Sequence, residues 1–224
     1  MAFAIRSCPA LVGAVVLVTL SQAPASMAQL VSGPASTGQD QTAQAQTAQA
    51  PPPQAQPQMA TSTRIVDEVK LGLLAHDIGF LGHHVEGGED VNAEVLFVSP
   101  DFLRYIFSPR PHIGADINGS GYTSNYYAGL TWGGVFYRPG WNRGDGFFAY
   151  FSEGGSVNDG KITSTQPNRK SLGSHELFKE GLDVGYQLND VVSVAGYIDH
   201  ISNADLATHN AGITNCGLRV GYKF

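Results

Sequence analysis

The chain has 224 residues, a net charge of −6 and only 14% charged residues, with 27 Gly and 10% aromatics. No basic patch is visible, which argues against a nucleic-acid partner. Low charge with many Gly and aromatics suits a β-rich chain with frequent turns, or a barrel whose outside faces lipid.

The first 28 residues read as a signal peptide. Arg6 is the only charge before Asp40, residues 10–20 are an apolar run, and Ser26-Met27-Ala28 has the small-x-small form of a signal-peptidase site. The run is too short to cross a membrane as a helix. Cys8 leaves with the signal, so Cys216 is expected to lack an intramolecular partner and to pack as a small apolar group. Residues 29–63 are rich in Gln, Ala and Pro and carry almost no large apolar side chain. They are expected to form a disordered tether, leaving 64–224 as the folded domain.

From Arg64 onward, alternation recurs in short runs separated by turn residues. In 66–77, Val69, Leu71, Leu73 and Ala75 share one face, and Glu68, Lys70 and His76 the other. The same pattern holds over 91–99, 111–118 and 126–133. It continues through Phe147, Ala149 and Phe151, then over 182–187, 192–199 and the last ten residues to Phe224. These runs predict eight strands, each with one apolar face and one polar or Gly-rich face.

Alternation by itself fits a soluble sandwich or a small transmembrane barrel, because both put apolar residues on one face. Export, an even strand count and a terminal Phe224 on the apolar face favour the barrel. The predicted fold is therefore an all-β, eight-stranded antiparallel barrel of the outer membrane, with an exported soluble β domain as its rival. Both termini are then periplasmic, and 77–90 and 154–174 become long outer loops. Glu68, Lys70, Glu94, Asp116, Asp183 and Arg219 are expected to pair inside a lumen too narrow to conduct. Phe102, Leu103, Tyr105, Ile106 and Phe107, with Trp132 and Trp141, read as membrane-interface residues.

The chemistry gathers near the end of the seventh strand. His200 and Ser202 lie two residues apart and so share a face, the one that carries Val192, Val194 and Ile198. In a barrel that is the lipid side, where polar groups are costly unless they serve a purpose. An imidazole beside a hydroxyl is the minimal nucleophile pair: the ring takes the Ser proton and the oxygen attacks an acyl carbon. A lipid of the outer leaflet is the substrate that can reach them.

The stretch His200-Ile201-Ser202-Asn203-Ala204, followed by Asn210, Gly212 and a short strand ending in Phe, resembles the lipid A 3-O-deacylases, eight-stranded outer-membrane esterases. Leu73-Leu74-Ala75-His76-Asp77 and Asn92-Ala93-Glu94-Val95-Leu96-Phe97 are similar to that family's first two strands, so the resemblance covers 66–224. It implies removal of the 3-linked acyl chain of lipid A in lipopolysaccharide by a metal-free, cofactor-free serine mechanism. His200 is then the base and Ser202 the nucleophile, with oxyanion stabilisation at Asn203, Ala204 and Asn210. The family's best-known members carry a Glu fourteen residues after the His, and that position here is Thr214. Asp205 is the nearest substitute in the loop, whereas Asp199 is on the opposite face. A catalytically weak or inactive barrel with a structural or adhesion role is the alternative reading. A homodimer is compatible with either.

The remaining polar residues have plainer readings. His76-Asp77 is expected to make a structural hydrogen bond at the loop end of the first strand. His83, His84, Glu86, Glu89 and Asp90 lack a recognised metal-ligand spacing and read as a solvated loop.

Overall fold

A computed structural model describes residues 64–224. The expected signal peptide and tether lie outside the described residues. Eight strands follow in chain order: β1 Val66–Ala75, β2 Glu89–Phe97, β3 Arg110–Asn118, β4 Asn125–Tyr137, β5 Gly146–Asn158, β6 Glu176–Gln187, β7 Val192–Ser202 and β8 Ile213–Lys223. Each pairs antiparallel with its neighbours, and β1 pairs with β8. The barrel is closed. Closure leaves no sheet edge with unpaired N–H and C=O groups, which hydrocarbon demands. Strands of 9 to 13 residues match the length needed to cross a bilayer at a tilt. Among the described residues, no helix is long and apolar enough to do so.

The alternation divides the side chains as expected. Leu73 is 68% exposed and Leu218 65%, as are many other apolar residues around the outer face, while Arg219 is only 2% exposed. A soluble protein would place these groups the other way round. Inside, Lys70 bridges Asp183 at 2.7 Å, and Arg219 bridges Glu94 at 2.5 Å. Arg110 meets Glu68 at 2.8 Å. Lys179 bridges Asp116 at 2.8 Å and Asp199 at 2.9 Å. Tyr127, Phe148, Tyr150 and Tyr197 fill the space between these pairs. Each of these buried charges thus has a counter-charge, as a low-dielectric interior requires. The pairing partners Arg110, Lys179 and Asp199 add to the six residues expected from the sequence.

Two details differ from the sequence reading. The long loop after β5 is 159–175 rather than 154–174, because β5 continues to Asn158 and β6 begins at Glu176. Glu86 and Asp90 are fully buried, not solvated. Cys216 is buried; Cys8, the other cysteine in the sequence, lies outside the described residues.

The two ends of the barrel differ. One carries the connections 76–88, 119–124, 159–175 and 203–212. The other carries both ends of the barrel domain and the connections 98–109, 138–145 and 188–191. On the first of these, a 3-10 helix, Asp101–Ile106, exposes Phe102 and Tyr105, next to an exposed Phe107. Trp132 donates its indole N–H to the Ile106 carbonyl at 2.8 Å. This is the aromatic anchoring expected at a membrane interface.

Candidate active site

The loop end is tied together by a buried network. His76 Nδ1 lies 2.9 Å from Asp90, and its Nε2 lies 3.4 Å from Glu86. Glu86 also accepts the backbone N–H groups of Thr123 and Lys170, both at 3.0 Å. Asp77 accepts the N–H groups of Val85 and Glu86 and the Lys170 ammonium, the last at 2.6 Å. Lys170 also donates to the Gly212 carbonyl at 2.6 Å. Residues from all four outer loops thus share one set of buried charges. The structural role expected for His76 and Asp77 is what the structure shows. His84, exposed, bonds through its ring to the Asp77 carbonyl.

These contacts shift the titration of the loop groups. Burial opposes a charge on His76, but hydrogen bonds to Asp90 and Glu86, and their negative charges, outweigh it and raise its pKa to about 9. Burial likewise works against the Glu86 carboxylate. The His76 hydrogen bond and the N–H groups of Lys170 and Thr123 outweigh it and lower its pKa to about 2.

The site sits directly beside this network, on the outer face. His200 and Ser202 both point out of β7 and are half-buried. His200 pairs in register with Thr214 of β8. Its Nδ1 lies 2.8 Å from Thr214 Oγ1, and Thr214 is buried. When Nδ1 carries the proton, the Thr hydroxyl accepts it and Nε2 is left as the basic nitrogen. Gly212 stands one residue beyond the Ile201–Ile213 pair, and so opposite Ser202. A Cβ at Gly212 would lie 2.7 Å from His200 Cε1 and 2.9 Å from Nε2. The missing side chain therefore makes room for the basic edge of the imidazole at the level of Ser202.

The loop after Ser202 turns sharply. Ala204 and Asp205 have φ of 52° and 61°, and Leu206 N–H donates to the Asn203 carbonyl at 3.0 Å. Two consecutive left-handed residues without glycine are costly, by about 1–2 kcal/mol each. The side chain of Asn203 turns inward rather than toward Ser202. Its amide donates to the Leu172 carbonyl at 2.8 Å and the His209 carbonyl at 2.5 Å. Gly173 packs against this point with φ of 79°, and a Cβ there would meet the His209 carbonyl and the Asn203 amide. Asn210 Oδ1 accepts the Asn203 N–H at 3.0 Å, and its own amide donates to Asp205 at 3.0 Å. Asp205 is exposed and is engaged by Asn210, while Thr214 occupies His200 Nδ1. Asp199 faces inward to Lys179, as its position in the strand requires.

Two carboxylates near the site were not singled out from the sequence. Glu180 on β6 pairs in register with His200, and Glu153 on β5 pairs with Glu180. Continuing the alternation backward from Leu182, and forward from Phe151, places both on the outer face.

A closed barrel that is apolar outside and ion-paired within, anchored by interfacial aromatics, is a transmembrane β-barrel of the outer-membrane class. The chain belongs to the lipid A 3-O-deacylase (PagL) family, whose profile matches residues 104–223. It is accordingly an outer-membrane protein of a Gram-negative bacterium, from a family that acts on lipid A. The resemblance noted over β1 and β2 falls outside the matched residues. The crystal structure of the outer membrane enzyme PagL superposes with a TM-score of 0.53 at 14% identity, over 70% of this chain and 99% of that one. The N-terminal β-barrel domain of Pseudomonas aeruginosa OprF gives 0.45 at 13% identity, over 70% and 98%. Neisserial surface protein A gives 0.44 at 10% identity, over 71% and 97%. No curated protein matches the chain.

Proposed function

We propose that this protein is an outer-membrane serine esterase that removes the 3-O-linked acyl chain of lipid A. The observation that carries this reading is the His200–Thr214 hydrogen bond, on the outer face and beside Ser202. His200 Nε2 accepts the Ser202 proton as Oγ bonds to the ester carbonyl carbon. The C–O bond to the 3-oxygen then breaks, and that oxygen takes the proton back from His200. Water, activated by the same imidazole, splits the acyl-enzyme and regenerates Ser202. The Asn203 N–H and side-chain amide are already engaged. The Ala204 N–H, in the strained turn, is therefore our choice as principal oxyanion donor, with the second N–H of the Asn210 amide, whose first donates to Asp205, as its partner. A single such donor contributes roughly 10²–10³-fold in rate.

Mass spectrometry of lipid A from cells expressing the protein tests this reading. The expected result is a mass lower by one acyl chain, restored to full mass in Ser202→Ala. Unchanged lipid A with the wild-type barrel folded in the membrane would refute it. One observation favours a second reading, a catalytically weak or inactive barrel: Thr214 brings no charge to the imidazole. If Thr214→Glu deacylates lipid A where the wild type does not, the second reading is correct.

A further inference from the structure

The outer face of the barrel carries a lateral row at the level of the site. In register across β5, β6, β7 and β8 it reads Glu153, Glu180, His200 and Thr214. The row nearer the bilayer centre is apolar, with Leu182, Ile198 and Cys216 in register. Two carboxylates on a lipid-facing surface are expensive, and such residues are functional candidates by default. Like charges directly opposite one another on a sheet add to the cost. The cationic neighbours do not explain them: Lys179, adjacent in sequence to Glu180, turns inward to Asp116 and Asp199.

We propose that Glu180 is a positioning residue for His200 and supplies the negative charge that Thr214 lacks. The inference rests on the esterase reading above. Cross-strand neighbours on one face have Cβ atoms about 4.5–5.5 Å apart, within reach for a Glu side chain and an imidazole. Thr214 and Glu180 flank His200 from opposite sides. Thr214 holds Nδ1 and so sets the tautomer and the ring plane. Glu180 favours the imidazolium that forms when His200 takes the Ser202 proton, since that cation offsets the negative charge of the Glu153–Glu180 pair. Orientation and charge, which one carboxylate provides at position 214 in the family's best-known members, are here divided between two strands.

The test uses the purified full barrel in detergent micelles, with lipid A hydrolysis followed as kcat and KM. In Glu180→Gln, kcat is expected to fall about 10²-fold with KM little changed. Adding Thr214→Glu to that variant restores the acid from the other side and is expected to recover most of the loss. A kcat for Glu180→Gln within a few-fold of wild type would overturn the proposal. So would a loss that Thr214→Glu does not rescue while the barrel keeps its heat-modifiable gel mobility, since that would be a structural effect. Labelling of Ser202 by a fluorophosphonate, measured in parallel, separates this proposal from the one beneath it. Labelling that slows in Glu180→Gln, in a protein that leaves lipid A intact, upholds the role of Glu180 and refutes only the substrate. Absence of both labelling and hydrolysis in the wild type overturns both.

Discussion

Lys170 Nζ donates to the Gly212 carbonyl at 2.6 Å, and Gly212 is the residue whose absent side chain admits the His200 ring. A lysine in the third outer loop therefore holds in place the strand end against which the imidazole rests. The same ammonium pairs with the buried Asp77. Lys170 thus links the candidate site on the lipid face to the network under the loops.

Lys170→Met should expose this coupling. It leaves the Asp77 carboxylate buried with only backbone donors, and removing one partner of a buried pair costs about 3–5 kcal/mol. The barrel strands do not depend on it. The expected outcome is a folded barrel whose outer loops become sensitive to protease, with hydrolysis at least tenfold slower. Limited proteolysis beside a kinetic assay checks both. Unchanged loops and rate would show that Gly212 is held by other contacts.

Gly212→Ala tests the packing against the ring itself. The new Cβ would stand under 3 Å from Cε1 and Nε2 of His200 and from the Ile201 carbonyl oxygen, so the imidazole and the end of β8 must both shift. Displacing a base by about 1 Å can cost 10²-fold in rate. The expected result is a kcat reduced about 10²-fold in a barrel that still folds and keeps its heat-modifiable gel mobility. Wild-type kcat would show that the ring has another productive position.

Loop stability should depend on pH from both sides. His76 is raised from 6.5 to about 9, so its contribution is complete below pH 6.5 and is lost as pH rises through 9. Glu86 is lowered from 4.5 to about 2, so its contribution is complete above pH 4.5 and is lost as pH falls through 2. Between pH 4.5 and 6.5 both are present, on the order of 3 kcal/mol when the pair is counted once. The amides of Thr123 and Lys170 donate to Glu86, so their hydrogen-exchange protection factors are the measurement. Protection should be highest in that window and fall on both flanks. In His76→Asn the alkaline fall should disappear.

Much of the barrel was legible in the chain. Strand alternation is local, so the facing of Leu73, Arg219, His200 and Ser202 follows from counting by two. The resemblance around His200 pointed to the loop end of β7, where His200 pairs with Thr214. The reading stopped short at Glu180 and Glu153 because polar residues at the ends of β5 and β6 broke the apolar pattern and made the loop look longer than it is. It mistook Glu86 and Asp90 for solvated residues because nothing local signals that a charged loop folds down over a barrel mouth.

By itself, then, the sequence determined the strands and the face of each side chain, since both depend on neighbours along the chain. The tertiary structure alone decided which residues stand side by side. Glu180, His200 and Thr214 are separated in sequence and come into one row through the register of three strands. That register is set when the sheet closes on itself, with every strand hydrogen-bonded on both edges and the interior charges matched. It is a global condition, and no short stretch of sequence contains it.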